Sequence, residues 1–370
     1  MPANIRTMKT TPPQRHPSHL LPTAKVLGDV RPIGSANGLQ QRIDPPSDAS
    51  IRVPTVSVVM GVHNGEQTVA ETIDSMLCQS LSAFEFIIVD DGSTDTTAER
   101  LQRYANQDSR IRLVHQENRG LTAALQRGCS LAQGKYIARC DAGDWYAPER
   151  LERQLAVLED SPEIVAVGGG GQRVGPDGEY LFTDQRNASP EVITQQLKQA
   201  DAAITHAVAM YRTAVYQQVG GYRDEFTFAQ DIDLWLRMVE HGLLAEIPEM
   251  ICCIRIEPQG ISLAKKVTQW RLAEIAYQCA ALRAKRQDES TLLREAANLG
   301  IAKQPAQTVW GKIQTRLTKA KSVRFVGNQL FVNRDARCRH YYLQSLAINP
   351  TSPTVWSRWL ASWLLCKHRE

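Results

Sequence analysis

The feature that most constrains this chain is a pattern that recurs three times from Thr55: a short β-branched run breaks into turn residues, and apolar residues at helical spacing follow. TVSVVMGVHN leads into GEQTVAETIDSMLCQSL, EFIIVDDGSTD into TTAERLQRYANQ, and RIRLVHQE into GLTAALQRGCSLA; KYIARCDAGD is then a fourth run that ends in an acidic loop. Strands that alternate with helices in this way predict an α/β domain with a mostly parallel, Rossmann-like sheet and helices on both faces. In such sheets ligands bind beyond the carboxyl ends of the strands. The loops at His63 and Asn64, at Asp90 to Asp95 and at Asp141 to Asp144 all fall on that edge.

The rest of the chain reads as flanks to this core. Residues 1–52 are rich in Pro, Ser, Gln, Asn and Gly, with Pro12-Pro13 and Pro45-Pro46 near the two ends, and predict a disordered tail. The α/β domain is expected over 53–262. Residues 263–370 read as mainly helical, with Trp356, Trp359 and Trp363 clustered near the end. The formal charge of +4, from 43 Lys and Arg against 39 Asp and Glu, gives no reason to invoke nucleic acid as a partner. The eight cysteines contain no CxxC pair, so reduced, mostly buried thiols are expected. Neither a secretory leader nor a run of about 18 apolar residues is visible, and the expected location is cytoplasmic, with peripheral contact to the inner face of a membrane left open.

Several carboxylates stand where chemistry would be expected. Asp90 and Asp91, followed by Gly92, can accept hydrogen bonds from a base or ribose, or can form a turn that caps the next helix. Asp141 and Asp144 form a second acidic loop, which can hold a hard divalent cation or can itself be a capped turn. Asp231 and Asp233 open an amphipathic helix. One of them can serve as a general base on an acceptor hydroxyl while the other caps the helix or pairs with an arginine. Gly168 to Gly171 lack a following GK[ST] and helix, and predict a strand end and turn rather than a phosphate loop. With no HExxH or clustered histidines, a zinc enzyme is not expected, and His206 is the histidine placed near the site besides His63.

Taken in order, VSVVMGVHNGE, EFIIVDDGSTD, NRGLTAALQRG, KYIARCDAGDWYAPERL, HAVAMYRTAVYQQVGGYRDEF and QDIDLWLRM resemble the inverting family 2 glycosyltransferases of GT-A fold, over about 200 residues from Val56 to Ser262. The resemblance implies donor-binding roles for His63, Asn64, Glu66, Asp90 and Asp91. It implies the same for Asn118, Arg119 and Gly120 ahead of the third helix, and for Arg139 in the strand before the metal loop. It also implies that Asp231 is the catalytic base, that Asp141 and Asp144 serve a manganese or magnesium ion, and that the donor is a nucleotide sugar. His206 and Asp233 are placed on the acceptor side.

The chain departs from the family pattern at Gly61 (often proline), His63 (often tyrosine), Gly143 (usually aspartate), Gln230 (often glutamate) and Glu257 (commonly histidine). Gly143 removes one carboxylate from the metal loop, and Glu257 is the candidate to replace it. The acceptor is expected to be a glycan or a lipid-linked glycan, in surface polysaccharide or glycolipid synthesis. Two other readings stay open at this point: a nucleotide-sugar-binding protein without turnover, and a nucleotidyltransferase on a similar sheet. The helical C-terminal region is either a packed cap or an interfacial element.

Overall fold

A computed structural model of the chain describes residues 53–258, 266–301 and 309–366. The tail expected over 1–52 and the boundary expected at 262 lie outside those residues. The contacts divide the chain at Ser47, and every described residue belongs to the unit that begins at Asp48.

The recurrent pattern folds as expected. Strands β1 (Val56–Val62), β2 (Phe84–Asp91), β3 (Ile111–Gln116) and β4 (Tyr136–Arg139) are separated by helices α1 (Val69–Leu77), α2 (Thr97–Gln107) and α3 (Leu121–Ser130). They pair in parallel in the order β3-β2-β1-β4. All seven residues of β1 are buried, because it lies between two strands with helices over both faces. Val58 and Met60 meet Ile73 and Met76 of α1 on one face, while Val59 meets Ala124 and Leu125 of α3 on the other. Alternation along a strand therefore feeds two separate cores.

The second half of the sheet is mixed. It is built from β5 (Trp145–Tyr146), β6 (Ile164–Val174), β7 (Tyr180–Asp184), β8 (Met210–Arg212) and β9 (Leu243–Arg255), with α4 (Arg150–Asp160), α5 (Pro190–Lys198), α6 (Thr213–Gln218) and α7 (Gln230–Met238) between them. The order continues β4-β8-β6-β9-β5; β8 runs antiparallel to both β4 and β6, while β6 and β9 are parallel. The expected α/β class holds, and its parallel pairing is concentrated in the first half.

Gly168 to Gly171 do not end a strand: they form the middle of β6, in register with β9. A Cβ on Gly169 would lie 2.5 Å from Ile251 Cδ1, and one on Gly171 would lie 2.5 Å from Cys252 Sγ. The glycines let neighbouring side chains cross the strand face, and the register shifts there twice, at Gly169/Gly170 and Gly170/Gly171.

The helical C-terminal region divides in two. From α8 (Lys266–Ala284) and α9 (Ser290–Ile301), Leu272, Ile275, Ala276, Cys279 and Ala296 join the core around Trp235 and Phe226. By contrast, α10 (Val309–Val332), α11 (Cys338–Ile348) and α12 (Pro353–Leu365) build their own cluster around Val326, Leu330, Tyr342 and Leu346, together with Leu181 of β7. Hydrogen bonds from Tyr341 Oη to Glu179 Oε1 (2.6 Å) and from Asn333 Nδ2 to the Leu181 carbonyl (2.7 Å) attach this second part to the sheet. Among the described residues, no helix is long and apolar enough to cross a membrane.

Candidate active site

The ends of β1, β2 and β3 lie side by side, so the first two loops bond to each other. His63 Nδ1 lies 2.9 Å from the Asp91 carbonyl. A carbonyl can only accept, so Nδ1 carries the hydrogen and Nε2 is left as an acceptor, 3.1 Å from the Asn118 carboxamide. Asn64 Oδ1 accepts from the Thr94 amide (2.8 Å), and Glu66 Oε2 accepts from the Thr96 amide and hydroxyl (3.2 and 2.9 Å). These three residues join the two loops.

Asp90 and Asp91 are both 3 % exposed. Asp91 Oδ1 accepts from the Arg119 amide (2.9 Å) and Gln116 Nε2 (2.7 Å), and Oδ2 accepts from the Gly120 amide (2.7 Å). Its whole acceptor edge is thus spent on the turn that leads into α3. Asp90 accepts from the Ser93 amide through Oδ1 and pairs through Oδ2 with His115 Nδ1 (3.0 Å). The structure therefore makes Asp91 an organiser of the loop. Arg119 remains exposed, beside the start of α3, which no side chain caps.

At the end of β4, Arg139 is fully buried. Its Nη1 donates to the Val59 and Cys140 carbonyls (2.9 Å each), its Nε faces His206 Nε2 (3.3 Å), and its Nη2 pairs with Asp141 Oδ1. Burial would raise the Asp141 carboxyl, but the Arg139 guanidinium outweighs it and holds the group below its usual range. Asp144 goes the other way. Burial, and then the neighbouring Asp141 charge, push its carboxyl well above the usual value, although Oδ1 accepts the Arg255 amide (3.0 Å). Gly143 between them adopts φ +102°, a conformation that disfavours any other residue.

Glu257 is exposed and lies two residues beyond Arg255. Among the described residues, no three His, Cys, Asp or Glu side chains form a metal cage, so Glu257 does not complete one with Asp141 and Asp144.

Asp231 sits in the first turn of α7, half-buried, with its carboxyl pushed above the usual value by burial and then by the Asp141 charge, against a lowering by the amides of its own turn. It is close enough to Asp141, Arg139 and Tyr222 for their charges to interact. Asp233 is fully buried: its Oδ2 accepts from Arg237 Nη2 (2.6 Å) and Nε (3.1 Å) and pairs with Arg223 Nε (3.3 Å). This corrects its placement on the acceptor side, because a carboxylate buried against two guanidinium groups presents no face to an acceptor.

His206 lies beneath the site. Its Nε2 contacts Tyr222 Oη (2.8 Å), and Tyr222 Oη is 3.2 Å from Tyr211 Oη. Burial, and then the Arg139 charge, press the imidazole down to about 3, so it stays neutral. Its Nε2 thus touches both Arg139 and Tyr222.

Tyr146, Tyr222, His115 and Arg255 are site residues that sequence reasoning missed. Tyr146 Oη accepts the Asp141 amide (2.9 Å) and donates to the Ala207 carbonyl (3.0 Å). Arg255 stacks 4.5 Å over Trp145 and pairs with Glu71 (2.8 Å). Tyr146 and Tyr222 stand inside the motif blocks DAGDWY and VGGYRDEF, which was the only available signal for them.

Among solved structures, residues 1–349 of TarS from S. aureus share the fold, with a TM-score of 0.51 at 14% identity over 84% of this chain and 89% of that one. The architecture is thus that of the GT-A class, in which a parallel half-sheet runs into a mixed half. The sequence profile of glycosyl transferase family 2 matches residues 57–220. EpsE of Bacillus subtilis strain 168, named "putative glycosyltransferase EpsE", is 37% identical over 196 residues, which is 51% of this chain and 68% of EpsE. Hyaluronan synthase of Pasteurella multocida is 27% identical over 219 residues, 59% of this chain, and the chain spans only 22% of that protein's length. The chain belongs to glycosyl transferase family 2, and it is a glycosyltransferase.

Proposed function

We propose that the enzyme transfers a glycosyl group from a nucleoside diphosphate sugar to an acceptor hydroxyl in a single displacement that inverts the anomeric centre. The bond from the anomeric carbon to the phosphate oxygen breaks, and the nucleoside diphosphate leaves with the electron pair. The acceptor oxygen bonds to the anomeric carbon and its proton passes to Asp231. One observation carries this reading: of the two carboxylates that open α7, Asp231 alone is left without an arginine partner, and it shares an electrostatic neighbourhood with Asp141 and Arg139.

On the donor side, Arg119 and the uncapped start of α3 suit the negative charge of a diphosphate. His63 and Asn118 line the same edge. The residues fit a divalent cation at Asp141 and Asp144. Hard cations shared with substrate phosphates need only one or two protein carboxylates, and the burial and the Asp141 charge that together raise Asp144 are what such an ion would offset. Bound there, manganese or magnesium would supply neutralisation of charge on the leaving diphosphate. A glycan or lipid-linked glycan is the acceptor this reading favours, consistent with the name of the Pasteurella relative, a hyaluronan synthase.

The test is release of nucleoside diphosphate from a panel of UDP-, GDP- and dTDP-sugars with saccharide acceptors, with and without manganese. Release from one nucleotide class, raised by acceptor, is expected. Tight binding of a donor that never turns over would instead support the reading of a binding protein that has lost catalysis.

A further inference from the structure

Helix α12 carries two apolar stripes, and the fold uses only one of them. Val355, Trp359 and, just past the helix end, Cys366 lie on the side that packs into the α10–α12 cluster, with Ser362 buried among them. Trp356, Leu360, Trp363 and Leu364 recur at similar spacing on the adjacent side, facing solvent, with Trp363 59% exposed and Leu364 89% exposed. The rings of Trp356, Trp359 and Trp363 contact edge to face in sequence, at 5.9 and 6.1 Å between centroids, so the outer stripe is a stiff ladder anchored to the inner one. Trp356 Nε1 donates to the Pro350 carbonyl (2.8 Å), which fixes the ring at the start of the helix.

Charge points to what covers this stripe. From Val309 onward the sequence holds eleven Lys and Arg against two acids, a net +9, in a chain whose total is +4. The remainder is therefore net acidic, and the positive charge is segregated onto the part of the molecule that presents the Trp ladder. No acid occurs within α12 itself. Arg339 stacks 4.1 Å over the Trp363 ring, and Arg316 donates to the Ile348 carbonyl (2.7 Å), two residues before the carbonyl that holds Trp356. Cationic side chains thus flank the ladder at both ends. A second copy of so basic a face would repel it. Tryptophan and leucine beside Lys and Arg are what an interfacial helix lays into the headgroup region of an anionic bilayer.

We propose that the α10–α12 module is a docking surface for anionic lipid, with α12 lying in the membrane interface along the Trp356–Leu364 stripe. It holds the enzyme on the surface without crossing it, in keeping with the absence among the described residues of any helix able to span a bilayer. The inference stands apart from the donor and acceptor assignments, since it rests on a different part of the chain.

The experiment is co-sedimentation of the full chain with vesicles of phosphatidylglycerol and phosphatidylcholine in equal parts, against vesicles of phosphatidylcholine alone, at low and high salt. The expected result is binding to the anionic vesicles that falls at least about tenfold on neutral vesicles, in high salt, and in the double variant Leu360→Glu with Leu364→Glu. Both leucines are exposed, so thermal midpoint and donor turnover in solution should be unchanged in that variant. Equal binding by the variant, or no binding to either vesicle, would overturn the proposal. So would a wild-type dimer that the variant dissolves, which would assign the stripe to a second copy. Binding to a soluble acidic polysaccharide but not to vesicles would assign it to a polyanion.

Discussion

Replacing Asp233 by alanine should unfold the protein more readily without touching the chemistry. Asp233 is 1% exposed in its side chain and faces Arg237, 6% exposed, and Arg223, 16% exposed. Arg223 continues to Glu289 (2.6 Å), which also pairs with Arg283 (2.7 Å), so the cluster ties the start of α9 to α7. Removing the one carboxylate that Arg237 contacts leaves a buried guanidinium without its counter-charge. Breaking such a pair from one side costs about 3–5 kcal/mol, and in a chain of this size that lowers the thermal midpoint by roughly 4–6 °C. Calorimetry or a circular dichroism melt measures the shift, and nucleoside diphosphate release well below the variant's midpoint measures the chemistry. Asp233→Ala should keep its turnover there within a few-fold. A variant with an unchanged midpoint and abolished turnover would refute the reasoning and put Asp233 into the reaction.

Four further outcomes follow from the site. Gly143→Ala should lose about 1–2 kcal/mol of stability from its left-handed backbone alone, since the new Cβ would meet nothing closer than Thr68 Oγ1 at 3.6 Å; a melt of the purified variant checks it. The base must be ionised to act, and burial raises the Asp231 carboxyl, so the acid limb of kcat/KM should lie above the ordinary carboxylate range. The same shift destabilises the ionised native state as pH rises, so Asp231→Asn should be at least as stable as wild type at neutral pH, with the gain shrinking as pH falls towards the unfolded value. Chelation should suppress turnover and manganese restore it, while Asp144→Asn, which keeps an acceptor for the Arg255 amide, should raise the manganese requirement at least about tenfold.

The first half of the sheet was legible because strands buried on both faces must be nearly continuous β-branched runs, as VSVVMGV is, and because their loops break into Asp, Gly and Ser. The same loops concealed how their residues divide the work. Nothing in DDGSTD says that Asp91 spends its oxygens on the Arg119 and Gly120 amides, a bond that spans 28 residues and exists only once β2 and β3 pair. Asp231 and Asp233 look alike in QDIDLWLRM, and only the fold brings Arg223 and Arg237 to the second of them. The four glycines of β6 misled because glycine ordinarily weakens a strand; here Ile251 and Cys252 fill the space that a side chain would occupy. The division of the C-terminal helices was hidden for a related reason, since α12 is apolar on two sides and sequence alone does not say which side is covered.

The most direct test of the central claim compares Asp231→Asn with wild type in nucleoside diphosphate release, with donor binding measured on both by calorimetry. A general base contributes about 10²–10⁴-fold, or roughly 2.7–5.5 kcal/mol of barrier. The account predicts a loss of that size in release from the donor and acceptor pair, with donor affinity kept. Release within a few-fold of wild type, in a variant that folds and binds donor, would contradict it and move the base to another residue.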